Sequence, residues 1–141
     1  MTDTSLRPGT PAGAAYAVCE QITRTEAKNF YYGIRLLPPA KRMALCAIYA
    51  LARRIDDIGD GDLPDPDKAA ALARVRVSVD QLDDVADETA DPVLFALSDA
   101  ATRFPIPLTA FGELIDGVRM DIDGRNYATF EELTEYCRCV A

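Results

Sequence analysis

The sequence predicts an all-α fold, a helical bundle that carries its functional groups on inward faces. Three observations predict it. Apolar residues recur at intervals of three and four along most of the 141 residues. Prolines punctuate the periodic segments, at Pro38, Pro39, Pro64, Pro66, Pro92, Pro105 and Pro107, rather than interrupting them. No run alternates apolar and polar residues as a half-buried strand would, and there is no internal repeat. A composition of 49% apolar and 27% charged residues belongs to a globular chain long enough to bury a core.

Met1 to Pro11, with two prolines and a glycine, reads as a flexible leader, and residues 12–141 read as one domain's portion. From Ala12 to Arg35 the series Ala15, Val18, Cys19, Ile22, Phe30 and Ile34 predicts one long helix, bent near Thr25 and ended by Leu37-Pro38-Pro39. Pro39 suits a first helical position. The run from there to about Ile58 is apolar nearly all round, which predicts a central rod, with a loop from Gly59 to Pro64 after it.

Asp65-Pro66 supplies a cap and a first-turn proline for a third helix reaching about Asp87. Ala70, Leu72, Ala73, Val75, Val79 and Leu82 are expected inward, Arg74, Arg76, Asp80 and Asp83 outward. Asp91-Pro92 repeats the device and opens a short helix to Arg103, broken by Phe104-Pro105-Ile106-Pro107. Leu108 to about Asp123 forms a fifth helix, buried through Phe111, Leu114, Ile115, Val118 and Ile122. Thr129 and Glu132 make a capping box for a sixth from Phe130, still running at Ala141, so the polypeptide is expected to continue.

A net charge of −8 argues against a nucleic-acid partner, since binding the phosphate backbone needs clustered Lys and Arg. No apolar run approaches the ~20 residues of a membrane span, and the N-terminus lacks the apolar segment of a signal peptide. A cytoplasmic location with reduced thiols is expected, and peripheral contact with a membrane stays open.

Chemistry gathers between Tyr49 and Asp60. On a helix, Tyr49, Arg53, Asp56 and Asp60 follow one another by four, three and four residues, a single stripe of a phenol, a guanidinium and two carboxylates. Carboxylates at a helix C-terminus meet the negative pole of the macrodipole and repel each other, so the stripe is costly unless a cation binds there. The chain has no His, and Cys19, Cys46, Cys137 and Cys139 lack zinc-type spacing, which disfavours soft-ligand sites. Hard oxygen ligands point to Mg²⁺, with Mn²⁺ as a substitute, because Mg²⁺ takes one or two carboxylates and completes its shell with water and phosphate. A calcium loop fails, since Ile58 holds the third position counted from Asp56. The competing reading is a solvated turn rich in Asp and Gly. The apolar helix before it and the in-phase Tyr49 and Arg53 favour the site.

Two further clusters carry polar groups. Arg24, Lys28, Asn29, Phe30, Tyr31, Tyr32 and Arg35 gather late in the first helix, with Lys28 and Arg35 on one face; they can hold a diphosphate above an apolar channel or form a snorkelling surface. Gly117, which costs roughly 1 kcal/mol inside a helix, marks close approach by another helix or a ligand. Asp121 with Arg119 and Arg125 reads equally as surface ion pairs. Cys137 and Cys139, two apart on a helix, face different ways, which argues against a disulfide between them.

The ordered series Asn29-Phe30-Tyr31-Tyr32-Gly33-Ile34-Arg35-Leu36-Leu37-Pro38, Ala47-Ile48-Tyr49-Ala50, Arg53-Arg54-Ile55-Asp56-Asp57-Ile58-Gly59-Asp60, then Asp121, Tyr127-Ala128-Thr129-Phe130-Glu131-Glu132-Leu133 and Tyr136-Cys137 resembles the N-terminal half of the squalene/phytoene synthase family. Within it the chain looks most similar to bacterial presqualene diphosphate synthases. The resemblance implies an isoprenoid-synthase fold and head-to-head condensation of two prenyl diphosphates, usually farnesyl, through a cyclopropylcarbinyl diphosphate. It also implies Mg²⁺ on Asp56 and Asp60, with Tyr49 and Arg53 beside the substrate diphosphate. Asn29, Phe30 and Tyr32 are implied at the prenyl-donor site, and Asp121 and Tyr136 as further substrate-binding residues. Ala27 stands where several relatives carry a serine, and Asp57 is placed in support rather than as a ligand. NADPH use, prenyl length and oligomeric state are left unassigned.

A second aspartate-rich motif, which family members carry well downstream, is absent. Asp80-Gln81-Leu82-Asp83-Asp84 only looks like one, coming too early on an amphipathic helix. A chain of this extent is therefore expected to hold about half of a catalytic centre and to be inactive alone. The alternatives are a non-catalytic helical binding module and a phytoene synthase of the same family.

Overall fold

The computed structural model describes residues 10–82 and 91–122, the last two by backbone alone. Six helices occupy them: α1 Pro11–Glu26, α2 Lys28–Ile34, α3 Pro39–Asp60, α4 Asp65–Asp80, α5 Pro92–Arg103 and α6 Thr109–Ile122. No strand occurs among the described residues. The chain divides into two compact units, Met1–Leu51 with Gln81–Ile106 and Ala52–Asp80 with Pro107–Ala141, and α3 contributes one half to each.

In the first unit, Pro11 belongs to helix rather than to a leader. Thr10 caps α1, its hydroxyl accepting from the Gly13 N–H at 3.0 Å, and Pro11 takes the first helical position. The rest of the predicted leader lies outside the described residues. The buried face of α1 is Gly13, Ala15, Tyr16, Cys19 and Thr23, and Val18, expected inward, is 40% exposed. Tyr16 sets that face: α1 packs on α5, and the Tyr16 hydroxyl donates to Asp99 Oδ2 at 2.7 Å. Arg103 Nε donates to the same oxygen, also at 2.7 Å.

The long first helix of the sequence reading is two helices. Ala27 leaves helical geometry at φ −143°, ψ 63°, while its N–H still reaches the Thr23 carbonyl and its own carbonyl accepts from Tyr31. The buried Thr23 hydroxyl donates to the Cys19 carbonyl at 2.9 Å, the kind of back-bonding that bends helices, four residues before the break. The first half of α3 buries Ala44, Cys46, Ala47, Ala50 and Leu51. Cys19 and Cys46 are buried; burial pushes the Cys46 thiol up, and the Thr23 hydroxyl draws it partly back. At α5 the predicted cap is present, Asp91 accepting from the Leu94 N–H at 3.3 Å ahead of Pro92.

Burial, then the bond to Asp99, hold the Tyr16 phenol well above its ordinary value. Folded Tyr16 keeps its proton where the unfolded phenol ionises, so the stability it contributes is present below about pH 10 and lost above it. The stability gap between wild type and Tyr16→Phe is expected to shrink by roughly 1 kcal/mol between pH 10 and 11. Urea denaturation of both proteins at these pH values checks it.

In the second unit, α4 is capped by Pro64, whose carbonyl accepts from Asp67 and Lys68, so Asp65-Pro66 lies inside the first turn. The helix ends at Asp80, short of the predicted Asp87, and residues 83–90 lie outside the described set. Leu72 and Val79 are buried, but Ala70 and Ala73 are exposed and Val77 is 52% exposed. Alanine favours helix wherever it stands, so its apparent periodicity here carried no packing information. Arg76, expected outward, turns onto α6, donating to the Gly112 carbonyl at 3.2 Å and pairing with Asp116. In return α6 buries Phe111, Ile115, Gly117 and Val118, with Leu114 half-buried.

Candidate active site at the acidic end of α3

The predicted loop from Gly59 is still helix, since α3 runs without a break to Asp60. Asp56 and Asp60 therefore lie one turn apart on one rod, as their spacing requires. Asp56 is half-buried and Asp60 exposed. Burial, and next the charge of Asp60, raise the Asp56 carboxyl above its ordinary value; Arg53 pulls the other way and Asp57 adds to the rise. The two carboxylates thus share one field, at the negative pole of a helix. Among the described residues no cluster of three or more His, Cys, Asp or Glu could enclose a metal. Two carboxylates under mutual repulsion, with the rest of an octahedral shell left to water and substrate oxygens, fit Mg²⁺.

Arg53 pairs with Asp57, Nε to Oδ1 at 3.0 Å, one turn on. The guanidinium is 38% and the carboxylate 60% exposed, so the pair contributes only about 0.3–0.5 kcal/mol. It holds the Arg53 guanidinium toward Asp57, one helical step outside the line of Asp56 and Asp60.

Two residues the sequence reading left unmarked hold this end of α3. A Cβ on Gly59 would lie 2.5 Å from Val118 Cγ1, so only glycine admits α6 this closely. Lys68, on the first turn of α4, donates from Nζ to the Gly59 carbonyl at 2.8 Å. The sequence signal for close approach, a glycine inside a helix, points to Gly117, which is buried. It applied equally to Gly59, where the nearby turn residues masked it. An open groove of about 270 Å³ between α4 and α6, lined by Arg76, Val79, Gly112, Ile115 and Asp116 among others, holds none of the predicted site residues.

In the first unit, the break at Ala27 lets α2 bring Phe30 onto α3. Its ring stacks on Tyr49 with centroids 5.6 Å apart and planes at 26°. Asn29 is exposed and Phe30 is 41% exposed. The basic and aromatic residues around them form cation–π pairs: Arg35 lies 4.8 Å over the Tyr32 ring and Arg24 5.4 Å over Tyr31. Tyr32 is 58% exposed and Lys28 is exposed. Asp121 lies in the last turn of α6, its side chain outside the described set. Tyr136, the capping box at Thr129 and Glu132, Cys137 and Cys139 also fall outside the described residues.

A family model described as squalene/phytoene synthase matches residues 23–141. The chain belongs to the squalene/phytoene synthase family. It is 56% identical over 124 residues to the phytoene synthases of Mycobacterium tuberculosis and Mycobacterium bovis, covering 88% of this chain and 40% of theirs. It is 40% identical to the phytoene synthase of Arthrospira platensis, over 90% of this chain and 40% of that one. A dehydrosqualene synthase crystallised with ligand superposes with a TM-score of 0.78 at 31% identity, over 92% of this chain and 44% of its own. A squalene synthase from Alicyclobacillus acidocaldarius gives 0.78 at 28%, over 92% and 48%. The chain thus spans about two-fifths of the length of its curated squalene/phytoene synthase relatives. All the site residues singled out from the sequence, Asn29 to Asp60 and on to Asp121 and Tyr136, fall inside the span matched by the family model.

Proposed function

We propose that the whole protein joins two prenyl diphosphates head to head, and that this chain supplies the first aspartate-rich half of the catalytic centre. The observation that carries the reading is the pair Asp56 and Asp60, mutually repelling at the end of α3, within a chain of squalene/phytoene synthase sequence. Asp56 and Asp60 would hold Mg²⁺, which would supply Lewis acidity toward a pyrophosphate leaving group. Arg53, oriented by Asp57, adds positive charge where the leaving group develops negative charge. In the first unit, the stacked rings of Tyr49 and Phe30 offer π-faces of the kind that attract an allylic cation.

Identity to phytoene synthases favours a phytoene-type product. The likeness to dehydrosqualene and squalene synthases supports a second reading, a product made from farnesyl units, which includes presqualene diphosphate in a hopanoid route. Incubating the intact protein and Mg²⁺ with farnesyl or geranylgeranyl diphosphate, then following pyrophosphate release and identifying products by mass spectrometry, separates the two. No release from either substrate refutes the prenyltransferase reading and leaves a helical binding module.

A further inference from the structure

We propose that Lys68 is a positioning residue for the acidic end of α3, an inference that rests on the metal-binding reading of Asp56 and Asp60. The last carbonyls of any helix lack intrahelical donors and concentrate its negative pole. Here Asp56, Asp57 and Asp60 add three carboxylates to that pole. Lys68 answers it at the backbone, its ammonium donating to the Gly59 carbonyl at 2.8 Å, between Asp56 and Asp60 in sequence. No ion pair links Lys68 to either carboxylate among the described residues, so it acts through the helix and not as a rival ligand.

The anchor is itself fixed. The Lys68 N–H is bonded to the Pro64 carbonyl at 3.0 Å, and α4 is fastened to α6 by Arg76 at Gly112 and Asp116. From the other side α6 presses Val118 into the space where Gly59 has no side chain. Lys68 therefore closes a ring of three contacts, α3 to α4, α4 to α6 and α6 to α3, around the turn that carries Asp60.

The charge of Lys68 and its positioning act in opposite directions on a bound cation. Loss of a nearby positive charge alone would tighten cation binding, whereas loss of the anchor loosens the pair of ligands. In Lys68→Met of the intact protein, without metal, amide hydrogen exchange in the last turn of α3 is expected to quicken roughly threefold to fivefold, with α6 unchanged. Binding of Mn²⁺ in the presence of inorganic pyrophosphate, followed by electron paramagnetic resonance, is expected to weaken about tenfold. Lys68→Arg, which keeps a donor of similar reach, restores both. Unchanged exchange in Lys68→Met, or Mn²⁺ binding that is equal or tighter, overturns the proposal. If the wild type takes up no Mn²⁺, the metal reading of the site is what fails, and the exchange rates alone decide the place of Lys68.

Discussion

Asp56→Asn is expected to lower turnover of a prenyl diphosphate by the intact protein about 10³-fold, a loss of roughly 4 kcal/mol of transition-state stabilisation. The amide keeps the size of the side chain and removes the charge that would hold the proposed metal. Stability points the other way. Burial and the charge of Asp60 both disfavour the ionised Asp56 carboxylate, so the neutral amide relieves a cost and the melting temperature is expected to hold or rise slightly. A loss of activity without a loss of stability distinguishes a ligand from a structural residue. Asp57→Asn serves as the contrast: it releases Arg53 from its exposed ion pair and is expected to cost about tenfold or less. Pyrophosphate release and thermal melts of the two variants measure both effects. Equal turnover in Asp56→Asn and wild type removes Asp56 from the metal site.

The elements that proved legible in the sequence are those whose signal is local. Asp91-Pro92 announces α5 because a capping carboxylate and a first-turn proline act within four residues of each other. That Asp56 and Asp60 lie one turn apart was readable because it needs only one unbroken helix. What stayed hidden depends on groups far apart in the chain. Tyr16 and Asp99 are 83 residues apart and Arg76 and Asp116 are 40 apart, and no periodicity couples them. Such partners decide which face of α1 is buried and why Arg76 turns inward. The bend expected near Thr25 is a full break at Ala27, whose place and sharpness were not legible: alanine is the strongest helix former, and the distortion there follows buried Thr23, whose hydroxyl competes for backbone bonds. Gly59 was misplaced in a loop because glycine ends helices more often than it sits within them. Its packing against Val118 is visible only once α3 and α6 are brought together.

Gly59→Ala is expected to destabilise the protein by about 1–2 kcal/mol, although alanine in place of glycine inside a helix ordinarily stabilises by roughly 0.5–1 kcal/mol. The new methyl would sit 2.5 Å from Val118 Cγ1, far inside van der Waals contact. Val118 has little freedom to yield, being only 8% exposed and β-branched, a shape that holds one χ1 rotamer in a helix. The strain must then pass into the backbones, and the turn of α3 that moves is the one bearing Asp60. Val118→Ala vacates the space the methyl needs, so the double variant Gly59→Ala with Val118→Ala is expected to lose at least 0.5 kcal/mol less than the sum of the single losses. Urea denaturation of the four proteins measures the coupling. Strict additivity would mean that α3 and α6 are not in contact at this glycine, and the geometry that fixes Asp60 would then need another source.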